Sequence, residues 1–426
     1  MHTDAVAARL AGVGASYGAV IRSPRYFPLW LGQLASSFGD TLHYIALVVL
    51  VFQLSGQGSA VAGLVATEIV PVLALGPVAG VIIDRFSRKG ILIGADLFRA
   101  ALVLTLLWPQ GVWHAYLVAA GLSAGSVFFN PTVNAVIPAL TTPAQRLAAN
   151  SVSWSTGRLV QILAASVAGG LLALVGTGPA FALNAASFVV SAVLIATLVI
   201  PAHAGQIAGG ATRGLASYVA DARAGLAYAR RDAFVSRLLV VQSLASFAVG
   251  GTGAMLVVLS ERHLQQPPAG FAWLIGAIGL GALLGPLIPN LVARDYRSAR
   301  WLFVPYLIRG VGDVLIAVFT PLPVALLILF VYGLGTSTGM VVFTSTIQGA
   351  IPEAMRGRVF TLLDVSWSTM RLVSLGLGAL VVDRLGVEPL FWLGGTLLFL
   401  AGALGLALLG RTKLAPLTFG ASRSYS

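Results

Sequence analysis

The 426-residue chain contains no cysteine. No disulfide can staple it, no thiolate can act as a nucleophile, and no cysteine can hold a metal. Charge is nearly as scarce. Asp, Glu, Lys and Arg make up 9% of the residues, where a soluble domain carries roughly 25%, and only 14 residues are acidic. The five histidines are scattered without metal-ligand spacing. No Gly-rich phosphate-binding loop of the P-loop type occurs, which argues against ATP as an energy source. No catalytic constellation emerges. The chain does not read as an enzyme, and neither a cofactor nor a metal is expected.

What is abundant is apolar surface. Hydrophobic residues make up 58% of the chain and glycine accounts for 49 positions. A core of this length could be buried several times over, so the excess must face lipid, and the glycines suit close helix packing in a bilayer. Twelve apolar spans have about the 20 residues needed to cross the hydrocarbon as a helix: 27–53, 59–83, 90–108, 114–138, 150–175, 179–200, 236–260, 269–292, 301–320, 323–348, 358–382 and 388–410. The expected fold class is therefore all-α and integral to the membrane, with twelve transmembrane helices. The N-terminal Arg9, Arg22 and Arg25 are not followed by a small-residue cleavage site, so no signal peptide is read.

The connections alternate in character. Those after odd spans, such as LSGQG at 54–58, PQGVW at 109–113 and GTG at 176–178, are short and nearly uncharged, and those after even spans are basic. With both termini cytoplasmic, the outside segments hold only Arg262 and Arg384, while Arg99, Arg158, Arg309 and Arg371 fall within spans. Twenty of the 26 basic residues then lie inside. Basic loops are retained on the cytoplasmic side during insertion, so the chain is expected in the cell membrane with both ends inside. The net charge of +12 is therefore a matter of topology, and no nucleic acid is expected as a partner. The expected division is a cytoplasmic tail at 1–26, a six-span bundle at 27–200, a cytoplasmic linker at 201–235, a second six-span bundle at 236–410 and a tail at 411–426. In the linker, Leu215, Tyr218, Ala222 and Leu226 recur at helical spacing, as in an amphipathic helix at the membrane surface.

The two halves are copies. VSWSTGRLV at 152–160 and VSWSTMRLV at 365–373 match at eight of nine positions. The stretch GPVAGVIIDRFSRK at 76–89 has a worn echo, in which Gly285, Pro286, Arg294 and Arg297 answer Gly76, Pro77, Arg85 and Arg88, with Ala293 in place of Asp84. Same-direction six-helix repeats predict a substrate site between halves near the bilayer midplane.

Gly80, Asp84, Arg85, Arg88 and Lys89 carry a resemblance to the signature loop of the major facilitator superfamily: glycine, three residues, aspartate, a basic residue, two residues, two basic residues. Ser87 stands where that family usually has glycine. Within the superfamily, WLGQLASSFGDTLHYIAL at 30–47, ADLFRA at 95–100 and FFNPTVNAVIPAL at 128–140 resemble bacterial exporters of the enterobactin and macrolide efflux kind. The resemblance implies two parallel six-helix repeats. It also implies that Asp84 docks on the start of the eleventh helix, expected near Gly357 to Thr361, while the cytoplasmic side is closed. The fifth-helix glycine motif of the antiporter branch survives only as SVAGG at 166–170, with Ser166 in the proline's place.

A charge at the centre of a membrane helix costs roughly 2.5–3.5 kcal/mol on insertion scales, so each calls for a partner or a function. Gln33, Ser36, Ser37, Asp40 and Tyr44 share a face of the first span. Asp40 either lines the transport path or pairs with an arginine. Glu68, alone in the second span, is either a proton carrier or a neutral acid at a helix contact. Asp96 with Arg99, and Arg309 with Asp313, have the spacing of charge pairs on one helix face. Arg158 and Arg371 are equivalent in the repeat, and Asp364 is an acid that the first copy lacks. Arg158 shares a face with Asn150, Trp154 and Gln161. Asn130, Asn134 and Gln348 are further candidates, with Gln33, Ser36, Asp40 and Trp154, for lining a substrate cavity. The expected activity is secondary active export of small lipophilic or amphipathic molecules of the drug, antibiotic or siderophore class. Protons are the expected coupling ion, the lipid bilayer the surroundings and a monomer the working unit. Import of a nutrient or lipid, and a membrane sensor without transport, are the alternatives.

Overall fold

The computed structural model describes residues 18–142, 145–200, 215–285 and 300–410. Most of both tails, the linker before 215, and Pro286, Ala293, Arg294 and Arg297 of the worn loop copy lie outside these residues. The helices are α1 (Phe27–Ser55), α2 (Gly58–Arg85), α3 (Arg88–Thr105), α4 (Val112–Leu140), α5 (Arg146–Val175) and α6 (Gly178–Ala196). They are followed by α7 (Leu215–Ala229), α8 (Ala233–Ala254), α9 (Pro268–Leu284), α10 (Arg300–Ile316), α11 (Leu322–Ala350), α12 (Glu353–Leu385) and α13 (Val387–Leu409). Beyond α8 the chain continues through Leu256–Val258 into a π-helical turn, Leu259–His263. With α7 set aside, the described residues hold twelve helices of 17 residues or more for the twelve expected spans. Eight contain a stretch long and apolar enough to cross a bilayer, and α5 and α9 hold shorter apolar stretches. The other two, α3 and α10, carry Asp96 with Arg99 and Arg309 with Asp313.

Local chemistry sets the helix ends. Gly56 takes φ 64°, a left-handed position that glycine adopts without steric cost, and closes α1 by donating its N–H to the Phe52 carbonyl. Ser87 lies between α2 and α3 and caps α3, its Oγ accepting from the Gly90 N–H at 3.3 Å. A glycine could not do this, which gives the departure at Ser87 a purpose. Asp232 caps α8 in the same way through the Val235 N–H at 3.0 Å. Two starts differ from expectation by more than three residues. The fifth span begins at Arg146 rather than residue 150. The eleventh begins at Glu353, directly after Pro352, rather than at Gly357 to Thr361, so Arg356 belongs to the helix and does not precede it.

The chain divides into two compact units, Met1–Leu215 with Pro267–Trp273, and Ala216–Gln266 with Leu274–Ser426. In the first, α1 packs on α6 and α5, and α3 on α6 and α4. In the second, α8 packs on α13 and α12, and α10 on α13 and α11, which is the same scheme six spans later. The repeat extends to hydrogen bonds. Ser153 Oγ meets the Tyr26 hydroxyl at 2.6 Å, and its counterpart Ser366 meets Ser243 Oγ at 2.6 Å. Small residues permit the close approach. A Cβ added to Gly39 in α1 would fall 2.9 Å from the Asn184 Cα of α6. One added to Gly310 or Gly395 would fall 2.6 Å from the other's carbonyl oxygen.

The linker helix α7 belongs to the second unit. Gly225 and Ala229 are buried, and Gly225 lies against the Arg358 carbonyl of α12. Asp221 lies 3.8 Å from the Arg358 guanidinium. Leu226 of the expected apolar stripe is exposed. Gly225 permits the close approach of α7 to α12, and Tyr228 packs against the same core as Ala229.

Candidate functional site

The basic loop is built into the first unit. Arg88 donates to the Ala135 carbonyl of α4 at 3.2 Å. Lys89 Nζ donates to the carbonyls of Ala196 at 2.6 Å and Leu198 at 2.8 Å, where α6 ends. An ammonium on the last carbonyls of a helix satisfies acceptors that have no intrahelical donor and neutralises the negative dipole end. Arg85 is exposed and Gly80 is buried. Asp84 falls within α2, and its side chain lies outside the described residues, as do those of Trp154, Arg158 and Gln348.

Above the loop, α3 carries a buried ion pair. Asp96 and Arg99 are 0% and 3% exposed, and the Arg99 guanidinium donates to Asp96 Oδ1. The guanidinium also lies between two rings, 4.4 Å from the Phe129 centroid and 4.3 Å from that of Phe188. Arginine suits this place because its flat, weakly hydrated cation can stack while it hydrogen-bonds at its edge. The expected pair is present and its contacts are those of a packed lock. Asp40 differs. It is exposed on α1, with Ser36 and Asn184 as its polar neighbours and Arg99 and Asp96 as the charges acting on it. Gln33, Ser37 and Tyr44 continue this side of α1. One turn further, His43 is buried with neither ring nitrogen hydrogen-bonded, its ring edge-on to Phe181 of α6 at 5.4 Å. Asn184 and Ser191, both fully buried on α6, complete this polar seam. The sequence reading missed them because single Asn and Ser residues in an apolar helix carry no spacing signal.

In the second unit, Arg309 and Asp313 do not form the expected pair. The guanidinium instead donates to the Tyr332 hydroxyl of α11 at 2.8 Å and lies 4.5 Å from that ring's centroid. The partner is 23 residues away on another helix, which spacing within α10 cannot reveal. Tyr306, one turn before Arg309, donates to Gln242 Oε1 at 2.6 Å. Glu68 is half-buried in α2, and its backbone carbonyl accepts from Ser123 Oγ at 2.5 Å. Asn130 and Asn134 are exposed on α4 beside Pro131. Asn150 and Gln161 are exposed on α5, and Asp364, Ser368 and Arg371 on α12. No group of His, Asp and Glu among the described residues is arranged to hold a metal ion.

Comparison with known proteins matches this architecture throughout. A family profile described as transmembrane secretion effector matches residues 15–416. Macrolide efflux protein A of Streptococcus pyogenes is 26% identical over 386 residues, covering 88% of this chain and 93% of that one. Multidrug efflux pump Tap of Mycobacterium bovis is 25% identical over 390 residues, covering 87% of this chain and 90% of its own. Among solved structures, the nucleoside transporter NupG superposes with a TM-score of 0.73 at 13% identity, covering 90% of this chain and 99% of its own. An inward-facing bacterial homologue of the iron transporter ferroportin gives 0.69 at 17% identity, covering 90% of this chain and 98% of its own. At these identities the structures speak for the fold alone.

Proposed function

The chain belongs to the transmembrane secretion effector family of major facilitator transporters, and on that footing we propose that it is a proton-driven exporter of small lipophilic or amphipathic compounds. Export is supported by relatives named for macrolide and multidrug efflux that align along nearly their whole length. The observation that carries the coupling is Asp40. It is an exposed carboxylate within a membrane-spanning helix, flanked by Ser36 and Asn184 and close to a buried ion pair. A carboxylate inside the membrane that is not locked into a pair can take up a proton on one side and release it on the other. With both termini cytoplasmic, as the distribution of arginine supports, a proton entering down 100 mV supplies about 2.3 kcal/mol. A tenfold substrate gradient costs about 1.4 kcal/mol. One proton per cycle therefore sustains more than a tenfold efflux gradient.

The test uses purified protein in liposomes with an imposed pH gradient and a macrolide as probe. Transport against the macrolide gradient is expected, and collapse of the proton gradient should abolish it. Asp40→Asn should lose most of this flux while expressing and unfolding like the parent. Flux indifferent to the proton gradient, or full gradient-driven flux in Asp40→Asn, would overturn the coupling assignment.

A further inference from the structure

The two repeats place their internal acid differently. When Arg99 is aligned with Arg309, Asp96 falls on Tyr306 and Asp313 falls on Val103. In the first unit the acid precedes the arginine by three residues and is bonded to it. In the second it follows by four, and the arginine is bonded elsewhere. Asp313 is 2% exposed, and its Oδ2 is buried without a hydrogen-bond partner. A buried carboxylate with neither donor nor bonded cation is strongly disfavoured in its charged form. A proton on Oδ2 removes that charge.

Among the described residues, the ionisable groups on α10 and on the helices packed most extensively against it can be named. On α10 itself the nearest are Arg309, about one turn before Asp313, and Tyr306, about two turns before it. Of the two helices packed on α10, α11 offers Tyr332 as its one ionisable side chain. Helix α13 offers Glu388 in its first turn, where it is engaged by His263 at 2.9 Å, and nothing ionisable from Pro389 onward. The state of Asp313 is thus decided by where one guanidinium goes. Room exists for it to turn, because Gly335, one turn from Tyr332, lies beside the Arg309 stem.

We propose that Asp313 is a proton-binding site of the second unit, and that Arg309 exchanges between Tyr332 when Asp313 is protonated and Asp313 when it is not. The proton comes from the aqueous phase onto Oδ2, and its release leaves a carboxylate that draws the guanidinium off the phenol. Arg309 keeps its charge throughout. As a coupling step this rests on the proton-driven reading above. As a proton-binding site it stands without it.

The experiment is infrared difference spectroscopy of the full-length protein in lipid nanodiscs at neutral pH, reading the carbonyl stretch of protonated carboxylic acids. A band present in the parent and lost in Asp313→Asn is expected. Tyr332→Phe removes the competing hydroxyl, so Arg309 should turn to Asp313 and the band should weaken. An identical band in the parent and Asp313→Asn, or an undiminished band in Tyr332→Phe, would overturn the proposal. If Asp313→Asn fails to fold, the Tyr332→Phe comparison decides alone. Should the band behave as expected while liposome flux ignores the pH gradient, the transport reading falls and the proton site remains.

Discussion

A charged side chain in this protein is interpretable only through what holds it. Arg99 has a carboxylate at its edge and a ring on each face. Arg309 has a phenol. Asp40 has polar neighbours and an exposed side chain. The first arrangement predicts a structural role that can be measured. Removing one member of a buried pair leaves the other charge uncompensated and costs about 3–5 kcal/mol, whereas replacing both by apolar residues of similar volume is often neutral. Asp96→Asn should therefore lower the thermal stability of the purified transporter markedly. The double change of Asp96→Val with Arg99→Met should recover much of the loss, since Phe129 and Phe188 already provide an apolar slot. Parent-like stability in Asp96→Asn would mean that the pair is not a lock.

At the scale of elements, the existence and order of the spanning helices were legible because hydropathy and the placement of arginine both follow from bilayer solvation. Their ends were less so. Helix α12 runs out past the apolar stretch to Pro352, and its first turns, with Glu353, Arg356 and Arg358, look like a loop to any measure that counts only apolar residues. The polar contacts were least legible, because Asn184 or Tyr332 acquires its meaning only from a neighbouring helix. The seating of α7 on α12 is of the same kind, and energies decide what holds it there. The Asp221–Arg358 pair is long and half-exposed, so it contributes at most about 1 kcal/mol. The close approach at Gly225 is the stronger constraint, since a Cβ there would be forced into the Arg358 carbonyl and 3.0 Å from Leu362 Cβ. Gly225→Leu should release α7, seen as faster tryptic cleavage at Arg223, Arg230 and Arg231 with unchanged unfolding of the spanning helices. Removing the charge in Asp221→Asn should barely alter cleavage. If the two variants behave in the opposite order, the ion pair and not the packing seats the helix.

At the scale of the whole molecule, the nine-residue repeat and the signature loop disclosed the duplicated architecture, and the structure adds that the duplication is uneven. The first unit keeps its acid bonded and its loop tied down by Arg88 and Lys89. The second unit holds an acid without a bonded partner. Asp84 stands at the C-terminal end of its own helix, whose negative dipole end disfavours a carboxylate. We propose that Asp84 serves the transport cycle, as the latch of the cytoplasmic side, more than it serves folding. A carboxylate on a favourable helix end gains about 0.3–1 kcal/mol, up to about 2 where partly buried. That is slight against the stability of twelve packed helices but comparable to the few kcal/mol between two conformers, and 1.4 kcal/mol shifts their ratio about tenfold. Asp84→Asn should therefore fold normally and populate the inward-open state more. The chain has no cysteine, so a single cysteine placed near the cytoplasmic ends of the helices reports opening without background. Its labelling by a membrane-impermeant maleimide in inside-out vesicles should be up to about tenfold faster in Asp84→Asn than in the parent. Equal rates would show that Asp84 does not hold that side closed.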